Sequence, residues 1–206
     1  MKYFMTCLVL LTIWSCERNT HQNLLTEVNP ELDGQWVNMV VEIPAGSREK
    51  WEVNKETGLI ERDSLNGQPR TINYLGYPAN YGFIPQTLLP KSEGGDGDPL
   101  DILVIGDAQK KGTVLRCKII GVLKLLDNGE QDDKLIAVSE NSVFDSNSSI
   151  EELKYNFPGM LGIIETWFTN YKGGSNVLSN GFRSKDVALK VLEQSVEAYS
   201  SSTQSL

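Results

Sequence analysis

Histidine is almost absent from this 206-residue chain: His21 is the only one. A single imidazole in a polar stretch gives little to build acid–base catalysis or zinc ligation on. Cysteine is nearly as scarce, and Cys7, Cys16 and Cys117 cannot form a disulfide framework. Basic residues are outnumbered, with 19 Lys and Arg against 27 Asp and Glu and a formal charge of −8. Nucleic acid asks for the opposite balance, so no nucleic-acid partner is expected. No glycine-rich nucleotide loop ending in Gly-Lys-Ser/Thr occurs, and no repeat or hinge-like linker divides the chain. With 40% hydrophobic residues, the length suits one core and a single domain.

What the chain has instead is carboxylate in glycine. The segment Glu93-Gly-Gly-Asp96-Gly-Asp98-Pro-Leu-Asp101 runs straight into the apolar strand Ile102-Leu-Val-Ile105. Three aspartates within six positions repel one another unless cations lie between them. Their oxygens are the ligands that hard divalent ions prefer, and the glycines let the loop turn tightly. A solvated acidic turn is the bland alternative. A calcium loop starting at Asp96 fails on spacing, because Leu100, Asp101 and Asp107 fall where an oxygen ligand, a glycine and a glutamate are needed. A more open site follows, one suited to Mg²⁺ that keeps waters and meets a phosphate; Mn²⁺ would fit the same donors.

The N-terminus carries a second signal. Met1-Lys2 precedes the apolar run Tyr3 to Trp14, which ends at Ser15-Cys16. The run has the length of a signal-peptide core and is short for a membrane span. Leu11-Thr-Ile-Trp-Ser15-Cys16 resembles a bacterial lipoprotein cleavage site, with Cys16 as the lipidated residue. The expected plan is a signal peptide over 1–15, a polar tether over 16–35 and the folded domain over 36–206. It implies export and a lipid anchor facing the periplasm or exterior, or a cytoplasmic protein if the leader is not cleaved.

Alternation from Trp36 to Ile43 predicts a half-buried strand with Val37, Met39, Val41 and Ile43 on one face and Glu42 on the other. Lys50 and Glu52 alternate with Trp51 and Val53 in the same way. Thr113 to Leu126 reads as a long strand that bends at Gly121. Asn128-Gly129 marks a hairpin turn, with Lys134 to Val138 returning as partner and Asp132 and Lys134 on one side. The period then changes. Ser149-Ile-Glu-Glu152 is a capping box, Pro158 is placed in the first turn of the next helix, and Met160 to Tyr171 keeps helical spacing up to Gly173-Gly174. Gly173 to Phe182 reads as a loop and Val187 to Tyr199 as a final amphipathic helix. The sum is one α+β domain, strands first and helices after.

Seven blocks in order now resemble a known family. Glu42-Ile-Pro-Ala45, Lys50-Trp-Glu52, Tyr77-Pro-Ala-Asn-Tyr81-Gly, Asp96-Gly-Asp98-Pro-Leu-Asp101, Gly121-Val-Leu-Lys124 with Asp127, Asp132-Asp-Lys134 and Tyr171-Lys172 are similar to the soluble family I inorganic pyrophosphatases. The resemblance implies a distorted five-stranded OB-like barrel flanked by helices, and Mg²⁺-dependent hydrolysis of pyrophosphate to two phosphates. It implies Asp96, Asp98, Asp101, Asp127 and Asp132 as metal ligands, with Glu42 and Glu52 around the cluster. Asp98 also matches the acceptor of the attacking water's proton. Lys50, Arg70, Tyr77, Lys134, Tyr171 and Lys172 match phosphate contacts, and Tyr81 a supporting residue. Asn128 stands where an acid often follows the Asp127 position, leaving that outer metal contact weaker or supplied by Asp133. Arg70 is preferred to Arg62 as the phosphate contact. The expected partners are pyrophosphate, a membrane reached only through the lipid, and further copies of the chain in a homo-oligomer. Two other functions compete: a non-catalytic lipoprotein that binds phosphate or divalent ions, and a hydrolase of another phosphoanhydride.

Overall fold

The computed structural model describes residues 21–173 and 176–204. The leader, Cys7 and Cys16 lie outside the described residues. Among the described residues there are eleven strands and three α-helices, ten of the strands preceding the first α-helix. The long strands are β1 (Trp36–Ile43), β6 (Asn80–Phe83), β7 (Asp101–Ile105), β8 (Val114–Asp127), β10 (Lys134–Ser139) and β11 (Val177–Ser184). Shorter ones are β2 (Trp51–Val53) with β3 (Ile60–Arg62), β4 (Ser64–Leu65) with β5 (Gln68–Pro69), and β9 (Glu130–Gln131) against β8. The helices are α1 (Ile150–Asn156), α2 (Met160–Asn170) and α3 (Lys185–Thr203).

Five strands close on themselves in the order β1-β6-β7-β10-β8, because β8 pairs back onto β1. Among the described residues only β7 and β10 run parallel. This ring is the expected five-stranded barrel, and the part of β8 beyond its pairing with β1 is covered by β11. The strands bury both faces, so they read as near-continuous apolar runs. In β7, Leu103 and Ile105 join a core with α1 and α2, through Leu153, Trp167 and Phe168. Ile102 and Val104 join a second core under α3, with Ala188 and Leu192.

Two irregularities change the faces that simple alternation assigns. Val37, Met39 and Val41 lie in the α3 core, but a register shift between Val41 and Ile43 turns Ile43 into the other one. A second shift, opposite Ile136 and Ala137, falls at Gly121. After it, Val122 sits in the same core as Ile119, so the expected bend is a change of phase. Asn128 takes a left-handed backbone (φ 50°) in the predicted two-residue turn between β8 and β9.

Half of the capping box forms, with Ser149 Oγ accepting from the Glu152 N–H at 3.1 Å, while the Glu152 carboxylate reaches one residue past the N-cap and accepts from the Ser148 N–H at 2.6 Å. Other expectations need correction. Pro158 lies before α2, whose N-cap is Gly159 in the left-handed region, so it is outside the first turn. Ile163 points outward on α2 and is exposed. The stretch read as a loop before Phe182 contains β11, which pairs with β8; strands do not all precede helices. Residues 23–35 are not a free tether either. Val28 is buried against Val40 and Phe83, and the Gln86 N–H donates to the Leu25 carbonyl at 3.0 Å.

Candidate active site

A cleft of ≈ 220 Å³ opens where several strands begin or end. Glu42 comes from the end of β1, Glu52 from β2, Asp101 and Lys134 from the first residues of β7 and β10, and Asp127 from the last of β8. Asp96 and Asp98 enter from the loop before β7, Asp132 from the link between β9 and β10, and Tyr171 and Lys172 from just beyond α2. A barrel brings strand ends together whatever their separation in sequence, and that gathers these residues. Lys50, Tyr77 and Tyr81 also line the cleft.

The acidic loop is folded by its own side chains. The Asp96 carboxylate accepts from the Asp98 N–H at 2.9 Å. Between them Gly97 has φ 82°, and a Cβ there would meet the Lys91 side chain at 3.0 Å.

Lysines stand on most of these carboxylates. Lys134 bridges Asp101 and Asp132, Lys172 pairs with Asp127, Lys50 with Glu52 and Lys55 with Asp98. Among the described residues no three acids converge closely enough to hold an ion; Lys134 stands between two of them. Seven acids still face four lysines, so negative charge is in excess. Its mark is on the proton affinities. Burial, and then the Asp101 charge, push the Glu42 carboxyl well up, against the Val53 N–H that it accepts from at 2.7 Å. Burial and the neighbouring Asp98 and Asp101 charges raise Asp96. Burial also raises Asp132 despite Lys134, with Asp101 adding to it. Lys134 shows the converse: burial would lower it, yet the pull of Asp101 and Asp132 carries it above the ordinary lysine value. An excess of hard oxygen donors held at raised proton affinity fits divalent ions such as Mg²⁺.

Aromatic packing fixes the phenols. Tyr77 lies 4.4 Å from Trp167 and 5.2 Å from Tyr81 between ring centres, and Tyr171 stacks on Trp167 at 4.6 Å. The Trp167 indole donates to the Leu75 carbonyl at 2.9 Å. Burial raises the Tyr77 and Tyr81 hydroxyls well above the ordinary value, so both stay protonated. Trp167 therefore acts as core and as the wall that Tyr77 and Tyr171 lean on.

Arg70 lies just outside the cleft. Its guanidinium donates to Asp63 at 3.0 Å, and the same carboxylate oxygen is 3.7 Å from Lys50. Arg62 is turned away, bonded to Thr71 at 2.9 Å and Glu49 at 3.0 Å. Asp133 cannot stand in for the acid missing at Asn128. It is buried, held by Lys124, Gln131 and the Leu125 N–H, and does not line this cleft. Asn128 instead donates to the Asp127 carboxylate at 3.0 Å. Lys55 and Asp63 are site residues that sequence reasoning missed. Lys55 sits in a polar turn where nothing in the pattern marks it, whereas Asp63 shows its role only through its two cationic partners.

The family model for inorganic pyrophosphatase matches residues 39–200. An inorganic pyrophosphatase of Helicobacter pylori is 35% identical over 177 residues, 84% of this chain and 95% of its own length. A soluble inorganic pyrophosphatase of Oryza sativa subsp. indica is 38% identical over 166 residues, 79% and 72% of the two chains. Among solved structures, the type I inorganic pyrophosphatase of Toxoplasma gondii superposes with a TM-score of 0.81 at 28% identity, covering 86% of this chain and 87% of its own. A truncated vacuolar soluble pyrophosphatase of Trypanosoma cruzi, solved with PPi, gives 0.79 at 30% identity, over 89% and 76%.

Proposed function

The chain belongs to the inorganic pyrophosphatase family, and from that premise we propose how its cleft works. The reaction is the Mg²⁺-dependent hydrolysis of pyrophosphate to two orthophosphates. The observation that carries the mechanism is the meeting of seven carboxylates with lysines and tyrosines in one cleft. Asp96, Asp98, Asp101, Asp127 and Asp132 would hold the divalent ions, with Glu42 and Glu52 beside them. Bound there, the ions neutralise phosphate charge and lower the pKa of water.

The rest is done by the chain's own groups. Asp98, at the mouth of the cleft, accepts the proton of the attacking water. Lys50, Lys134 and Lys172 donate to phosphoryl oxygens, as do Tyr77 and Tyr171, whose positions the Trp167 stack fixes. Arg70 reaches the substrate from behind Lys50 by leaving Asp63. Tyr81 is half-buried beside the cleft and supports Tyr77. Attack occurs in line, and the leaving phosphate departs towards these donors.

The test is phosphate release by the purified protein with Mg²⁺ and with chelator, using pyrophosphate, ATP and tripolyphosphate. Fast release from pyrophosphate alone, lost with chelator, is expected. Asp98→Asn should fold normally and turn over at least 10²-fold more slowly; near-wild-type turnover would remove Asp98 as proton acceptor.

Lipid anchoring at Cys16 with export, and assembly into a homo-oligomer, belong to the same reading. The first rests on Lys2, the apolar run and Ser15-Cys16; Cys16→Ala should move the protein from the membrane fraction to the soluble one. Support for the second comes from the exposed apolar side chains of Leu75 and Ile163, and light scattering of the purified protein checks it.

A further inference from the structure

Lys55 has no part in the mechanism above, yet it covers the group on which that mechanism depends. Its ammonium pairs with Asp98 Oδ1 and donates to the Gly97 carbonyl at 3.3 Å. Asp98 Oδ1 itself is shielded from solvent, while the rest of the Asp98 side chain is open. The turn between β2 and β3 presents Lys55 in a defined place. The Asn54 side chain accepts from the N–H groups of Glu56 and Thr57 at 2.9 and 3.2 Å, and the Gly58 N–H donates to the Asn54 carbonyl at 2.8 Å.

We propose that Lys55 is a resident counter-ion of Asp98, occupying the carboxylate in the metal-free protein and giving way when a divalent ion enters, so that it sets the metal concentration at which the site fills. The inference rests on the metal-site reading above. An ammonium and a divalent ion on one carboxylate oxygen repel each other, and Asp98 cannot accept a proton at a position an ammonium occupies. Lys50, Lys134 and Lys172 sit deeper, with side chains 4–26% exposed, whereas Lys55 is 57% exposed and Asp98 44%. A pair this open is weak, so the incoming ion displaces it, at a cost of no more than about fivefold in affinity. Lys55 is thus a positioning residue whose removal should improve metal binding, the reverse of what losing a structural clamp would do.

The test is Mn²⁺ titration of the full chain, read by the electron paramagnetic resonance signal of the free ion. The comparison covers wild type, Lys55→Gln, Lys55→Met and Lys55→Arg. Lys55→Gln and Lys55→Met should each bind about three- to fivefold more tightly, and Lys55→Arg should stay at the wild-type value. The Mg²⁺ midpoint for hydrolysis should fall by the same factor in the first two. Unchanged or weaker binding in both neutral variants would overturn the proposal while leaving the metal site standing. Failure of wild type to bind Mn²⁺ at all would overturn the metal-site reading and this inference with it.

Discussion

Replacing Lys134 with methionine removes the cation that bridges Asp101 and Asp132 and keeps most of the stem that fills its place. The lysine side chain is 4% exposed, and its partners are 21% and 24% exposed. Deleting one member of a buried ion pair costs about 3–5 kcal/mol, because the partner charge stays behind without compensation. The partly open carboxylates put this case near the lower end, about 3 kcal/mol. Burial already raises the Asp132 carboxyl, so taking up a proton there is easier than for an ordinary aspartate and keeps the loss from growing beyond this. For a chain of this length the metal-free melting temperature should fall by about 6–12 °C. A divalent ion replaces the missing charge, so saturating Mg²⁺ should shrink the deficit to about 1 kcal/mol or less. Urea unfolding with chelator and with Mg²⁺ measures both numbers. An equal deficit under the two conditions would refute the reasoning, since it would mean that Lys134 stabilises by packing rather than by holding the place of a metal.

Three further outcomes follow from the same geometry. Glu42, Asp96 and Asp132 have folded-state pKa values above their ordinary ones. The metal-free fold therefore binds more protons than the unfolded chain and should lose stability as pH rises above the ordinary carboxylate range. Stabilisation by Mg²⁺ should grow over the same span, and thermal scans from pH 5 to 8 that stay flat without metal would contradict this. Arg70→Ala should weaken use of pyrophosphate at least tenfold in kcat/KM through a lost charged contact, with Arg62→Ala near wild type; equal effects would remove Arg70 from the site. Gly82→Ala places a Cβ 1.9 Å from the Val40 carbonyl oxygen, and the strands must part. A loss of about 3 kcal/mol is expected, and denaturant titration showing less than 1 would mean that β1 and β6 can separate freely.

Much of the site was legible because the acidic loop, the Tyr77 to Tyr81 block and the Asp132-Asp-Lys134 segment each carry several polar side chains in a few positions. Local spacing sufficed there. The strands were legible where alternation or apolar runs persisted, as in β1 and β7. Failures came where a three-dimensional partner decides. A register shift against β6 turns Ile43 into the other core, and no pattern in β1 announces it. β11 reads Val-Leu-Ser-Asn-Gly-Phe-Arg-Ser, mostly polar, and is a strand because β8 offers it a long edge. Asp133 could be ruled out only by seeing Lys124 beside it. Lys55 is one lysine in a polar turn until the barrel brings Asp98 against it.

The lysines answer a problem that the carboxylates create. Seven acids gathered at the rim of one barrel would repel one another before any metal arrives, and the raised proton affinities of Glu42, Asp96 and Asp132 measure what repulsion and burial leave uncompensated. Lys50, Lys55, Lys134 and Lys172 take up much of the rest by standing on acids that the proposed mechanism gives to metal. An ammonium displaced by a divalent ion must find another anion within reach of its stem, and the incoming pyrophosphate is that anion. On this reading Lys50, Lys134 and Lys172, which offset the acids in the metal-free chain, are also the lysines that hold the substrate. Metal loading should then tighten substrate binding through the freed lysines as well as through the ions. Pyrophosphate affinity of Lys172→Gln, measured with and without a slowly reacting metal such as Ca²⁺, separates the two contributions. If the metal-induced gain in affinity is as large in Lys172→Gln as in wild type, Lys172 is not released to substrate and the coupling fails.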